Sequence, residues 1–262
     1  MDNNNIITFL KNYSNKKIIY IPNPGNAGDS LIVLGTFTLF NKLNLNYEIG
    51  NINKIYNNKI LFYAGGGNLV GLYKSCKNFI LKNQEKNKII VLPHTINNED
   101  KLLQNLNKNV ILICREKYSY NYVKKKIKNK NNIFVCEDMA FHIDVQYLKK
   151  FQKKGKGACN CFRLDGERTS IKIPINNNDI SQTLREGIGN NTSNLNVIQD
   201  TCNKVFSYLS NYNEINTNRL HVAVAGILLN KKVNLYPNSY WKNKAIYEYS
   251  IKEKYPNIKF IE

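Results

Sequence analysis

KKIIYIPNPGNAGDSLIVLGTFTLFNKL, residues 16–43, decides how the rest of the chain is read. It opens on the apolar run Ile18–Ile21, passes through a cluster of Pro, Gly, Asn and Asp, and continues as a long apolar-rich stretch from Leu31. Strand, glycine turn and helix in that order make half of a βαβ unit. The alternation then repeats: KILFYAGGGN (59–68) reads as a strand into a glycine loop, and LVGLYKSCKNFILKNQEK (69–86) has helical spacing. NKIIVLPHT (87–95) reads as a strand into a turn, followed by a helical stretch to about Asn107. NVILICRE (109–116), the helical KYSYNYVKKKIK (117–128) and NIFVCEDMAF (132–141) complete a β-α-β-α-β-α-β-α-β order. The strands are near-continuous apolar runs, as expected of a parallel sheet covered on both faces.

The basic stretch KKFQKKGKGAC (149–159) breaks the pattern and reads as solvated surface and linker. Beyond it NCFRLD (160–165) has strand character, NDISQTLREG (178–187) and NVIQDTCNKVFSYLSNY (196–212) are helical, and SYWKNKAIYEYSIKEKY (239–255) supplies a last helix. The expectation is an α/β protein of two Rossmann-like domains with parallel sheets, residues 1–150 and a reduced second domain at 151–262, long enough for two cores with 42% hydrophobic residues.

A net charge of +19 suggests a polyanion partner at first sight. The charge is mostly lysine scattered among asparagines, however, and there are only five arginines, the better readers of phosphate. AT-rich coding gives that composition, so no specific nucleic acid is expected. Six cysteines without a C-x-x-C pair, several in apolar strands, read as small core residues, and no metal is expected. The first twenty residues carry no signal-peptide core and no apolar run approaches the ~18 residues of a membrane span, so the expected compartment is the reducing cytoplasm.

In open parallel sheets ligands bind beyond the carboxyl ends of the strands, where the unusual loops of this chain fall. In GNAGD (25–29) either Asp29 or Ser30 caps a helix, or Asn26 and Asp29 line a ligand. Gly65, Gly66 and Gly67 offer three consecutive backbone N–H groups to an anion, and Asn68 follows them as a candidate substrate-binding residue. Arg115 and Asp138 sit at strand ends facing the crevice, while His94 and His142 read as structural. Arg163 is either their counterpart in the second domain or one side of a surface salt bridge to Asp165 or Glu167.

NTNRLHVAVAGILLNKKVNLYP (216–237) is the least bland segment. Arg219 and His221 stand at the start of a buried helix that Thr217 or Asn218 can cap, so cations, free N–H groups and the positive end of the dipole coincide. That arrangement asks for an anion. Lys242 and Asn243, in WKN (241–243), begin another helix and add to the same demand.

Taken in order, GNAGD, GGGN, LPHT, CRE, EDMA, NRLHVAVAGILLNKKV and YWKN resemble the polysaccharide pyruvyl transferases over about residues 20–245. The resemblance implies a GT-B-like arrangement and transfer of the pyruvate group of phosphoenolpyruvate to a sugar of a glycan as a ketal, with release of phosphate and no cofactor. It places Arg219, His221, Lys242 and Arg163 at the donor site, and Asn26, Asp29 and the three glycines in loops lining the cleft from the first domain. Members often have Gln where this chain has His94, and the second domain is short for the family. On that reading His221 is the general acid and Asp29 or Asp138 takes the acceptor proton. A nucleotide-sugar glycosyltransferase on the same fold is the alternative.

Overall fold

The computed structural model describes residues 5–185 and 194–262. They form two compact units, Met1–Asn23 with Thr36–Met139 and Pro24–Gly35 with Ala140–Glu262, so the chain enters the second unit twice. The division falls inside one helix, whose first turns belong with the second unit.

The first unit is built on β1 (Lys17–Ile21), β2 (Asn46–Ile49), β3 (Ile60–Tyr63), β4 (Gly66–Leu69), β5 (Lys88–Ile96), β6 (Val110–Cys114) and β7 (Ile133–Val135). Its helices are α1 (Ile6–Lys11), the later turns of α2 (Ala27–Lys42), α3 (Ser75–Asn83), α4 (Asp100–Gln104) and α5 (Lys117–Lys126). Strand order is β2-β1-β3-β5-β6-β7, with β4 also on β5, and every pairing is parallel. Alternate side chains of one strand point to opposite faces, and here both sets are buried. Ile19 and Ile21 join Leu61, Tyr63, Ile89 and Val91 under Phe79, Ile80 and Val123 from the helices. On the other face Tyr20 meets Phe37 and Phe40 edge-on, and Phe40 packs on Phe62. Each such side chain removed from water contributes about 1.5–3 kcal/mol, which is why the strands read as unbroken apolar runs.

Three features depart from the sequence reading. GGGN is not an open loop: Gly66–Leu69 is β4, in register with β5 through Gly66 opposite His94 and Leu69 opposite Ile96. LPHT is no turn either, because β5 continues to Ile96 once β4 takes over the flank that β3 leaves at Tyr63, opposite Val91. Only Ser75–Asn83 of the helical-looking 69–86 is helix. The edge strand β2 lacks an apolar run, with no residue of it fully buried, and this hides it in the sequence.

The second unit holds a four-stranded parallel sheet, β8 (Ala158–Asn160), β9 (Glu214–Thr217), β10 (Lys232–Leu235) and β11 (Ile258–Phe260), in the order β11-β10-β9-β8. Helices α6 (Val145–Leu148), α7 (Ile180–Thr183), α8 (Leu195–Ser210), α9 (Leu220–Leu228) and α10 (Lys242–Ile246) accompany it. Strand β8 ends before Arg163, so NCFRLD is strand only at its start. Glu186 and Gly187 of the expected helix lie outside the described residues.

The basic stretch is more than a linker. Its lysine side chains are solvated, as expected, but its backbone is fastened: Lys156 donates to the Asn211 carbonyl, and the Lys231 ammonium to the carbonyls of Lys153 and Ser210. A Cβ on Gly155 would fall 2.3 Å from both the carbonyl carbon and oxygen of Tyr212, a backbone obstacle that no rotamer relieves. Gly155→Ala is therefore expected to destabilise the second unit by about 1–3 kcal/mol, read as an earlier midpoint in denaturant unfolding.

Candidate functional site

At the carboxyl ends of β5, β6 and β7 the first unit buries a polar network. Arg115 follows β6 directly; its Nη1 pairs with Asp138 Oδ2 at 2.8 Å and its Nε donates to Thr95 Oγ1 at 2.8 Å. Arg115 is 2% exposed and Asp138 0%, so neither charge could be tolerated without the other. A Cβ on Gly67 would stand 2.9 Å from Arg115 Nη2, so this glycine makes room for the guanidinium. Beside it His94 Nε2 lies 3.0 Å from the backbone N of Asn68 and 2.8 Å from Asn68 Oδ1. Asn68 Nδ2 and the Tyr63 hydroxyl both donate to Asn23 Oδ1. Asn68, expected among the substrate-binding residues, is thus turned to the imidazole through both its backbone N–H and its side chain. Complete burial, with the positive charge of Arg115 adding to it, pushes the His94 pKa down to about 3.

In the second unit two helix starts meet. Asn26 precedes the first turn of α2; its Oδ1 accepts the Gly28 N–H at 2.8 Å, and Asp29 Oδ2 accepts the Asn26 N–H at 2.9 Å. This reciprocal cap is the structural alternative named for GNAGD, with Asn26 rather than Asp29 or Ser30 as the capping residue. It also places Asn26 and Asp29 in the second unit, not the first. A Cβ on Gly28 would lie 2.8 Å from His221 Nδ1, so the first turn of α2 packs against the imidazole on the first turn of α9.

Neither Thr217 nor Asn218 caps α9; the cap position is Arg219, with no side-chain bond there. Thr217 Oγ1 instead accepts the Arg219 N–H at 2.9 Å and donates to the Cys161 carbonyl, tying the end of β9 to the segment after β8. Asn218 Oδ1 accepts the Arg163 N–H, and Asn243 Nδ2 donates to the carbonyls of Asn218 and Tyr236. These bonds bring Arg163, Arg219 and Lys242 together from 79 positions of sequence.

The three cations are matched by three carboxylates. Asp179 takes Arg219 Nε at 2.8 Å and Nη2 at 2.5 Å; Asp165 takes Arg219 Nη1 at 2.8 Å. Arg163 reaches Asp165 through Nε and Nη2 and Glu167 through Nη1 at 2.7 Å. Glu167 also receives the Lys242 ammonium at 2.5 Å. The anion that Arg219 demanded is supplied here by the chain itself, and the Arg163 salt bridge is a buried one. Burial would raise the Asp165 pKa, but the Arg163 hydrogen bonds and the charges of both arginines hold it well below the carboxylate range. Asp179 was missed by sequence reading: it lies 40 positions before its partner and no local motif marks it.

A family model, Polysaccharide pyruvyl transferase, matches residues 26–240, which takes in every element of the second-unit cluster except Lys242 and Asn243. The chain belongs to the polysaccharide pyruvyl transferase family. It is also 26% identical to "Putative pyruvyl transferase EpsO" of Bacillus subtilis (strain 168), across 94% of this chain and 88% of that one. A crystal structure of a functionally uncharacterized protein from Klebsiella pneumoniae subsp. pneumoniae NTUH-K2044 is similar at 36% identity and a TM-score of 0.87, covering 98% of this chain and 96% of the other. No helix among the described residues of this pyruvyl transferase is long and apolar enough to cross a membrane.

The neutral, buried His94 has a consequence for acid stability. In the unfolded chain an imidazole ionises near 6.5, so below that pH the unfolded state binds the extra proton, and stability present above about 6.5 drains away as pH falls toward 3. Between pH 7 and 5 the wild type should lose about 2 kcal/mol more than His94→Gln, measured by urea unfolding at both pH values.

Proposed function

We propose that this pyruvyl transferase takes phosphoenolpyruvate as its donor and forms a pyruvate ketal on a sugar of a glycan. The observation that carries the reading is Arg219 at the cap and His221 on the first turn of α9, with Arg163 and Lys242 grouped beside Arg219 and the first turn of α2 against His221. A carboxylate and a phosphate on one small enol need fixed positive charge and N–H donors around both groups, and cations held rigidly before substrate arrives do not reorganise during the reaction.

In this mechanism the guanidinium groups of Arg163 and Arg219 and the Lys242 ammonium hold the two anionic groups. His221 gives a proton to the methylene carbon, which leaves the adjacent carbon electrophilic. A sugar hydroxyl adds there and passes its proton to Asp29, the half-buried carboxylate of the α2 cap. Asp138 is the poorer base, being fully buried and committed to Arg115. Phosphate departs as a second hydroxyl closes the ketal; the proton held by Asp29 leaves with the phosphate and the second hydroxyl's proton restores His221, so both groups end as they began. An imidazole is a side chain suited to give and take back a proton in such a cycle.

Thermal unfolding with and without phosphoenolpyruvate tests the donor, with nucleotide sugars and inorganic phosphate as controls. A rise of several degrees at about a hundredfold excess over Kd, abolished in Arg219→Ala, supports it. A rise with a nucleotide sugar and none with phosphoenolpyruvate overturns it in favour of glycosyl transfer. His221→Ala should cut transfer by about 10²–10⁴ with the fold intact, and full activity would remove His221 from its role. Gly28→Ala should also lower transfer, because the added Cβ would crowd the imidazole at 2.8 Å and the Asn26 cap oxygen at 3.0 Å.

A further inference from the structure

Among the three carboxylates of the second-unit cluster, Asp165 differs from the other two. The side chains of Glu167 and Asp179 are 6% and 3% exposed, whereas that of Asp165 is 34% exposed although it touches both arginines. Its Oδ1 accepts Arg163 Nε at 2.7 Å and the Glu167 backbone N–H at 3.1 Å; its Oδ2 accepts Arg163 Nη2 at 3.1 Å and Arg219 Nη1 at 2.8 Å. Four N–H donors, two of them from a guanidinium edge, therefore converge on one small carboxylate.

The remaining partners hold those donors in place from behind. Asp179 fixes Arg219 through Nε and Nη2 and is itself tied to the Leu164 N–H; Glu167 fixes Arg163 Nη1 and Lys242. Asp165 is the member whose side chain reaches solvent, while its backbone is held by the Arg168 N–H on its carbonyl at 3.0 Å. It sits in the irregular segment between β8 and α7 and is followed by the exposed Gly166, around whose Cβ position nothing lies within 4 Å. An outward swing of the Asp165 side chain alone, with that backbone bond kept, would vacate the place while Asp179 and Glu167 go on holding the arginines. A second observation points to a ligand: Asn218 is 1% exposed, its Oδ1 holds the Arg163 N–H, and its Nδ2 has no acceptor among the described residues. A buried donor left unmatched is costly, and an oxyanion seated within its reach would supply an acceptor.

We propose that Asp165 is an internal counter-ion occupying the seat of a small multiply charged oxyanion, and that the phosphate or carboxylate of the substrate binds by displacing it onto the solvent side. With Asp165 in place the cluster is neutral, three cations against three carboxylates; with it swung out, the seat carries one net positive charge and four directed donors. The empty pair of arginines is never left uncompensated, and a ligand with a single weak charge does not displace the resident carboxylate. Naming phosphoenolpyruvate as the ligand rests on the donor reading above; the seat itself does not.

The experiment is calorimetric titration of the whole chain, wild type and Asp165→Asn, with inorganic phosphate, pyruvate and phosphoenolpyruvate. Removing a resident competitor raises apparent affinity by the inverse of the fraction of time the seat stood free, so with Asp165 in place about nine-tenths of the time or more the variant should bind phosphate at least about tenfold more tightly. Because the variant could fold poorly, carbodiimide labelling of Asp165 in the wild type, followed by mass spectrometry, provides a second measurement: saturating phosphate should increase labelling. Unchanged or weaker phosphate binding by Asp165→Asn, with labelling unaffected by phosphate, overturns the proposal and leaves Asp165 a fixed structural partner. If phosphoenolpyruvate binds the wild type in an Arg219-dependent manner in that case, the donor reading survives alone. Tighter phosphate binding by the variant, with no phosphoenolpyruvate bound by either protein, establishes the seat and removes the donor reading.

Discussion

A guanidinium or ammonium group taken out of water must find a matching negative charge, and this requirement organises both halves of the molecule. Arg115, Arg163, Arg219 and Lys242 are all less than a tenth exposed. Isolated charges at that depth are too costly to keep ionised, so each has a carboxylate within 2.8 Å. Those carboxylates in turn settle the course of the loops that carry them: Asp138 after β7, Asp165 and Glu167 after β8, and Asp179 at the entrance to α7.

Such pairs contribute little net stability compared with well-packed apolar groups of the same size, yet removing one partner costs about 3–5 kcal/mol because the other is stranded. Their value here lies in placement. The apolar sheets already supply the cores; the ion pairs and the asparagine bonds around Asn218 and Asn243 decide where the cationic groups point. In the second unit the same groups that give the loops their shape are the ones proposed to hold the donor. A side chain that answers to both demands is constrained by both.

The two polar clusters also differ in kind. In the first unit every member is enclosed, and the neutral His94, buried beside Arg115, has an acceptor or donor on Asn68 at close range. That network has the character of a rigid support for the carboxyl ends of β5 and β6. In the second unit His221 is half-buried between two helix starts and Asp165 reaches solvent, so that cluster is not sealed from water.

The apolar runs and glycine turns of the sequence determined the parallel α/β architecture, because a strand buried on both faces has to be apolar at successive positions. They also determined that Arg219 and His221 start a buried helix, since seven apolar residues follow within the next eight positions. What the sequence left undecided were the elements stabilised from a distance. β4 is four residues of GGNL that are a strand only because β5 offers an unused flank, and the Asn26–Asp29 cap joins the second unit through contacts made far along the chain. Above all, only the tertiary structure decided which anion each cation holds. Asp179 and Arg219 are 40 residues apart and Glu167 and Lys242 are 75 apart; pairing at such separations depends on where the sheets carry the chain, and no local pattern records it.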